Sequence, residues 1–265
     1  MPIKFCSLSS GSSGNCQYIE CNNTKILIDA GFSGKRVEEL LSSIDVSPKS
    51  IDGILVTHEH IDHTLGVGVL SRRYDIPIFA NSNTWVGMEP IIKSIKEKNT
   101  KVFKTNSVFD FKDLSIYPIN VSHDAIEPVG YIIYYKQIKL SIITDTGWIP
   151  DNIRNEIKNS NLYFMESNHD ERMLREGSYP WPLKKRIMSS HGHLSNMDAG
   201  EILADVLCGN EEIVILAHLS QDNNLPDLAY NTVRECIISQ GIDTSHDVNL
   251  SLSHRDRASN IYIID

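Results

Sequence analysis

Apolar and polar positions along this chain alternate with two different periods, and the switches between them predict the order of its elements. KILID, Lys25 to Asp29, reads as a strand, and GKRVEELLSSI follows with Val37, Leu40, Leu41 and Ile44 at helical spacing. IDGILVT is the next strand, ahead of a short helix around Thr64 to Arg73 and the strand IPIFA, Ile76 to Ala80. Asn81 to Lys98 reads as a helix capped by Ser82 or Asn83 and kinked at Pro90. A β-rich middle follows in VFDF, LSIYPINV, VGYIIYY and KLSIITD. Strand Leu162 to Met165, helix Asn196 to Leu207, strand Glu212 to His218 and helix Asp227 to Gln240 complete the pattern. Helices and strands alternate at both ends and strands cluster between them, which predicts an α/β protein with sheet layered between helices. No repeat, low-complexity tract or Pro/Ser-rich linker interrupts the pattern, so residues 1–265 are expected to form one domain.

The polar clusters THEHIDH (Thr57 to His63), VSHD, TDTG and AHLSQDNN all fall just past the ends of apolar strands. Strand ends are where an α/β scaffold brings distant residues together. Three histidines and two acids within seven residues, directly after IDGILV, point to a metal-ligand set. His58 and His60 flank Glu59 on an extended segment and can aim their rings the same way. Asp62 and His63 follow in a turn opening the next helix, so one loop can serve two neighbouring metals. His123, Asp145 and His218 each follow a separate apolar strand and are the further candidates, though each alone also reads as a cap or turn residue.

Composition narrows the setting. With 41% apolar and 22% charged positions over 265 residues, the chain can bury a sizeable core. It has no apolar run long enough for a membrane span, and MPIKFCSLSS lacks the basic flank and apolar stretch of an export signal, so a cytoplasmic location is expected. Cys6, Cys16, Cys21, Cys208 and Cys236 are an odd set without CxxC spacing, which suits reduced thiols. A net charge of -9 argues against coating nucleic acid along the whole surface. Arg72 with Arg73, Lys93 to Lys104 and Lys184 to Arg186 can nevertheless supply a local basic groove.

LIDAG (Leu27 to Gly31), HEHIDH (His58 to His63), His123, Asp145 and His218, in this order, resemble the five motifs of the metallo-β-lactamase fold superfamily. The resemblance spans nearly the whole chain and implies a four-layer αβ/βα sandwich with a binuclear metal site at one edge. It implies that His58, His60 and His123 hold one divalent ion, that Asp62, His63 and His218 hold the other, and that Asp145 bridges them. Asp29, with Thr57, would orient the ligand loop through hydrogen bonds. Such a pair of ions can ionise a shared water and neutralise charge on a phosphate, with Asp62 close to the chemistry. Manganese or zinc is favoured for a His-rich site with a bridging aspartate, and iron is possible.

HGHLSN and FMESNHD resemble the segments that carry a histidine and a glutamate in the tRNA-processing phosphodiesterases of the superfamily. The resemblance implies that His193 is a general acid held by Glu166; the alternative is that His193 caps the helix beginning near Ser195. The loop SLSSGSSGNC could point successive backbone N–H groups at an anion, making Ser12, Ser13 and Asn15 candidate substrate contacts, or it is a flexible hairpin. ESNHD with YPWPLKKRI, VSHDAIEPVGY, GHLSNMDAG and AHLSQDNN resemble the YycJ/WalJ-like branch of single-domain bacterial exonucleases. That branch implies a phosphodiesterase acting on a DNA terminus, in the 5′-to-3′ direction. Asn168, His169, Lys184 and Lys185 are then further substrate contacts, while Tyr179 and Trp181 either stack on a base or simply pack.

The stretch between Asp145 and His218 is too short for the extra clamp domain of the larger nucleases, so processivity would need an oligomer or a partner. The rival readings are a hydrolase of a small substrate (cyclic phosphodiester, thioester or lactone), an electron-transferring di-iron protein, and a non-enzymatic regulatory module. A di-iron protein would carry a glutamate where His60 stands, and a module that had lost its chemistry need not keep every ligand.

Overall fold

In the computed structural model, which describes residues 2–265, alternate side chains of the central strands are buried on opposite faces. Each sheet therefore needs cover on both sides. The first sheet contains β1 (Ile3–Ser9), β2 (Cys16–Cys21), β3 (Thr24–Ile28), β4 (Gly53–Leu55), β5 (Ile78–Asn81) and β6 (Thr100–Phe103) as successive neighbours. The second contains β7 (Phe109–Phe111), β8 (Leu114–Asn120), β9 (Val129–Tyr135), β10 (Ile138–Ile143), β11 (Leu162–Glu166), β12 (Glu212–Ala217) and β13 (Val248–Leu252). A last strand, β14 (Tyr262–Ile264), returns to pair antiparallel with β1. Both sheets follow one plan, in which antiparallel hairpins come first and parallel strands joined by helical crossovers follow.

The helices are α1 (Gly34–Ser42), α2 (Ile61–Thr64), α3 (Val67–Tyr74), α4 (Ser82–Ile92), α5 (Asp151–Ile157), α6 (Glu171–Glu176), α7 (Trp181–Ile187), α8 (Asn196–Val206) and α9 (Pro226–Ser239). Phe5, Ile26 and Ile28 of the first sheet pack with Ile142, Phe164 and Ile215 of the second to make the central core. On the outer face of the first sheet, Leu27 joins Val37, Leu41, Leu70 and Met88 from α1, α3 and α4. Tyr163 and Met165 join Leu203, Val233 and Ile237 from α8 and α9 beyond the second sheet. The order helix, sheet, sheet, helix is the αβ/βα sandwich that the motifs implied.

Several elements differ from the sequence-based expectation. The helix expected over Asn81 to Lys98 ends at Ile92, where Lys93 turns left-handed (φ 61°). Its cap is Asn81, whose side chain accepts from the Thr84 backbone N–H at 2.8 Å. The helix expected around Thr64 to Arg73 is two pieces, α2 and α3. Helices α5, α6 and α7 were not expected because each has seven residues or fewer, too few for a 3.6-residue period to show. Strands β13 and β14 are likewise short. All five cysteines are free. No helix among the described residues is long and apolar enough to cross a membrane.

Candidate metal centre

The polar clusters meet because each leaves a neighbouring strand at the same edge of the sandwich. Asp29 follows β3, the THEHIDH segment follows β4, His123 follows β8, Asp145 follows β10, Glu166 ends β11 and His218 follows β12. Asp29, Asp145 and His218 adopt left-handed backbone angles, with φ of 60°, 53° and 55°. Asp and His adopt this conformation more readily than most non-glycine residues, and it lets the chain turn directly after each strand.

The histidines are held by their outer nitrogens. His63 Nδ1 lies 2.8 Å from Asp29 Oδ2 and His58 Nδ1 lies 3.0 Å from Thr57 Oγ1. Asp29 also accepts from the Thr57 backbone N–H and hydroxyl, each at 2.8 Å, so one buried carboxylate fixes the start of the loop. His123 Nδ1 sits 3.2 Å from the Gly192 carbonyl, and His218 Nδ1 2.9 Å from Glu166 Oε1. Each ring thus keeps Nε2 as its second ligand-capable atom, the arrangement expected of metal-binding imidazoles; that of His218 has no partner, whereas those of His58, His63 and His123 lie 3.0, 3.0 and 3.3 Å from His60, Asn15 and Asp124. His60 is the exception, turning Nδ1 inward to 3.0 Å from His58 Nε2.

Ligand atoms of His58, His60 and His123 lie within 4.8 Å of one another, as do those of Asp62, His63 and His218. Asp145 groups with His58 and His63, and separately with His193, His218 and Glu166, which is the position a bridge between two ions needs. Two buried atoms test the fit: His218 Nε2 has no hydrogen-bond partner, and Asp145 Oδ2 has none of good geometry, its nearest polar neighbour being His63 Nε2 at 3.3 Å. A buried polar atom left unpaired costs about 1–3 kcal/mol, and a cation between these two would satisfy both. The cluster on this fold fits a divalent metal centre.

The protonation states of two ligands agree, whereas at His63 burial is outweighed by the carboxylates of Asp145, Asp29 and Asp62, which hold the ring well above its ordinary range. Burial, reinforced by the nearby His63, pushes the His58 imidazole well below its ordinary range, and burial also lowers His123. Both are therefore neutral, the form that binds metal. Burial would raise the Asp145 carboxyl, but the His218 and His63 rings outweigh it and hold Asp145 well below the usual carboxylate range.

Glu166 is fully buried, and all four of its acceptor positions serve the site. Its Oε2 accepts from the backbone N–H groups of Thr146 (2.9 Å) and Leu194 (3.3 Å). Its Oε1 accepts from His193 Nδ1 (2.7 Å) and His218 Nδ1 (2.9 Å). The link to His218 was not anticipated, since no local pattern reports which imidazole a strand-end glutamate will meet. Burial opposes ionisation of both partners, yet their mutual attraction takes Glu166 down to about 2 and His193 up to about 9. Capping of α8 belongs to Ser195, which forms a reciprocal pair with Asp198, so His193 is free of that duty. His193, His218, Asp145, His60 and His123 line a cavity of about 280 Å³, with Arg186 at its wall.

The proposed substrate contacts divide. Ser12 and Asn168 line the same cavity, and Asn168 Nδ2 donates to the His218 carbonyl at 2.9 Å. Lys184 corrects the expectation: it is buried, and its ammonium donates to the carbonyls of Arg175 (2.9 Å) and Gly177 (2.7 Å), closing the end of α6. Arg72 is committed in the same way to the carbonyls of Ile92 and Ser94. His169 is also buried, and burial takes it down to about 4, which removes it from the substrate surface. Lys185 sits 5.9 Å over the exposed Trp181 ring. The expected cradle of loop amides is largely consumed internally. Ser10 N–H donates to His254 O, Gly11 N–H to Asn15 Oδ1, Gly14 N–H to Gly11 O and Asn15 N–H to Asp62 O. Asn15 thus ties the loop to the ligand segment, with its Nδ2 3.0 Å from His63 Nε2. Asp124, which was not anticipated, pairs with Arg186 and brings Oδ1 to 3.3 Å from His123 Nε2.

Gly31 explains the last residue of the LIDAG motif. A Cβ there would stand 1.6 Å from the Asp62 carbonyl oxygen and 2.7 Å from the Asn15 nitrogen. Gly31→Ala is expected to push the Asp62 segment outward, destabilising the fold by about 1–3 kcal/mol or more. Thermal unfolding together with a metal titration checks both consequences.

Residues 24–219 match the family described as a beta-lactamase superfamily domain. The chain is 43% identical over 241 residues to an exodeoxyribonuclease YycJ of Bacillus anthracis, covering 91% of both chains. It is 40% identical over 233 residues to an exodeoxyribonuclease WalJ of Streptococcus pneumoniae, covering 87% of both. Among solved structures, the metallo-β-lactamase fold protein YhfI of Bacillus subtilis superposes with a TM-score of 0.73, covering 99% of this chain and 100% of that one at 13% identity. At that identity the match speaks for the fold alone.

Proposed function

Because the chain belongs to the beta-lactamase superfamily, alongside the YycJ and WalJ exodeoxyribonucleases, we propose that it is a binuclear metal-dependent phosphodiesterase that degrades DNA from a 5′ terminus. The observation that carries this reading is the pair of buried Glu166 and cavity-facing His193 beside the ligand atoms Asp145 Oδ2 and His218 Nε2. A small-substrate acyl hydrolysis has less use for such an acid, and a regulatory module has no use for it.

His58, His60 and His123 would hold one ion, Asp62, His63 and His218 the other, with Asp145 between them. When bound, the pair supplies Lewis acidity that ionises water near neutral pH and offsets charge on the phosphate; manganese or zinc suits this donor set, with iron also compatible. Asp62, partly exposed beside His63, holds its ligand position while facing the reaction space. His193 is kept cationic by Glu166 and faces the cavity, so it can give its Nε2 proton to the departing sugar oxygen. Asn168 fixes the His218 backbone, and Asp29 and Thr57 fix the ligand loop from behind. Elements α5 to α8 with β11 and β12 fill the stretch between Asp145 and His218, so we read the chain as one domain without an inserted clamp. Processive action on long DNA then requires self-association or a partner. A cytoplasmic location fits a chain whose substrate is DNA and whose cysteines are unpaired.

His193→Ala is expected to keep its metal and to cleave DNA about 10²- to 10⁴-fold more slowly, the usual scale of acid–base assistance. A nitrophenolate leaving group needs no proton, so bis(p-nitrophenyl) phosphate should suffer far less from this change. Equal losses on both substrates would remove His193 from proton transfer. A wild-type protein that binds metal but cleaves neither end-labelled DNA nor the small diester would overturn the reading.

A further inference from the structure

A cavity of about 610 Å³, larger than the one at the histidines, opens beside the metal centre. Ser220 lines both, and the adjacent residues Ser12 and Ser13 line one each, so the two form a continuous groove. The wall away from the metals is the segment SHRDR, residues 253–257, which follows β13.

Two arginines give this wall its character. Arg36, Arg73, Arg154, Arg172, Arg175 and Arg186 all pair with carboxylates, whereas Arg255 and Arg257, like Arg72 and Arg234 elsewhere, do not do so among the described residues. Asp256, also at the cavity, stands between them in the sequence, and both it and Asp222 are close enough to Arg255 to favour its charge without pairing with it. Arg255 is half-buried and fixed: its Nη2 donates to the Leu219 carbonyl at 2.7 Å, one residue after His218. Its stem lies over Gly11, where a Cβ would meet Arg255 Cγ at 3.2 Å. A guanidinium has five donors, and this anchor leaves others free at a set distance from the metal ligands. Arg257 is exposed at the same wall. Leu225, 55% exposed, supplies an apolar face in the same cavity.

We propose that this cavity binds the sugar–phosphate backbone of the substrate strand next to the bond being cut, with Arg255 and Arg257 each neutralising one phosphate. The inference rests on the phosphodiesterase reading and adds where the strand runs. It also accounts for how a chain with a net charge of -9 can hold a polyanion: two arginines without a carboxylate partner stand in the groove beside the metal centre.

The test is affinity of the metal-loaded full chain for a fluorescein-labelled oligothymidylate with phosphorothioate linkages, followed by anisotropy over a range of salt. Arg257→Ala is expected to reduce the slope of log affinity against log salt by about 0.7, and the double variant Arg255→Ala/Arg257→Ala by about 1.4, the single-strand value for one and two phosphates. Arg255→Lys keeps the charge and should keep the slope. Lys35→Ala, a surface change on α1, should alter nothing. A thymidine dinucleotide, whose only phosphate belongs at the metal centre, should bind the double variant almost as well as it binds wild type. Wild-type slopes in both arginine variants, with DNA cleavage intact, would overturn this inference and leave the phosphodiesterase reading standing. Failure of the wild-type protein to bind or cleave any oligonucleotide would overturn both.

Discussion

Asp145→Asn is expected to yield a folded protein that holds fewer than two equivalents of divalent metal and cleaves DNA more than about 100-fold more slowly. The lower bound comes from the 10- to 100-fold loss that removing a mere hydrogen-bond partner of a ligand causes; removing the bridge itself must cost more. Asparagine is the right replacement because Asp145 holds a left-handed backbone with φ of 53°, which asparagine accepts and alanine resists. The side chain keeps its shape and loses its charge. That charge is what faces His218 and His63, whose rings lie beside Asp145 and hold its carboxyl ionised despite burial. Without it, a second cation must enter a pocket that offers it only imidazoles and Asp62. Elemental analysis after dialysis, beside a nuclease assay, checks the claim. Two retained equivalents with wild-type turnover would mean that Asp145 does not bridge.

The convergence of the candidate ligand positions was legible in the sequence for a reason rooted in the fold. Crowding five ionisable groups into THEHIDH serves no structural purpose, and His123, Asp145 and His218 each stand at the end of an apolar strand where an α/β scaffold gathers its chemistry. What escaped depended on contacts between elements that leave no local trace. Lys184 looked like part of a basic patch because the helix whose carbonyls it closes, α6, is too short to announce itself by periodicity. The loop from Ser7 to Cys16 looked like an anion cradle, yet Asn15 and Asp62 claim amides that a phosphate would have used. Arg255 and Arg257 attracted no notice, since two arginines in SHRDR gain meaning only when β13 carries them to the rim of the groove. Glu166 and His193 were paired from their resemblance to known segments, but the second hydrogen bond from Glu166, to His218, emerged only in three dimensions.

That second bond makes Glu166→Gln the other change of large expected effect, more damaging than loss of His193. In the wild type each carboxylate oxygen accepts twice, Oε1 from two imidazoles and Oε2 from two backbone N–H groups. An amide has one accepting end. Whichever way it turns, its NH₂ group faces two donors in a fully buried position, and each buried donor left unpaired costs about 1–3 kcal/mol. If the NH₂ faces the rings, His218 loses the bond that fixes its tautomer, and metal affinity should fall about 10- to 100-fold. His193 at the same time loses the negative charge that raises its pKa, so the alkaline limb of the rate profile moves to lower pH. The two variants are therefore separable: His193→Ala leaves metal affinity intact and slows chemistry, whereas Glu166→Gln weakens both. A competition titration with a chelating dye gives the affinity, and rates at saturating metal give the chemistry. If Glu166→Gln binds metal like the wild type and is slowed less than His193→Ala, then the glutamate only supports packing, and the coupling of acid and metal ligand through one carboxylate is wrong.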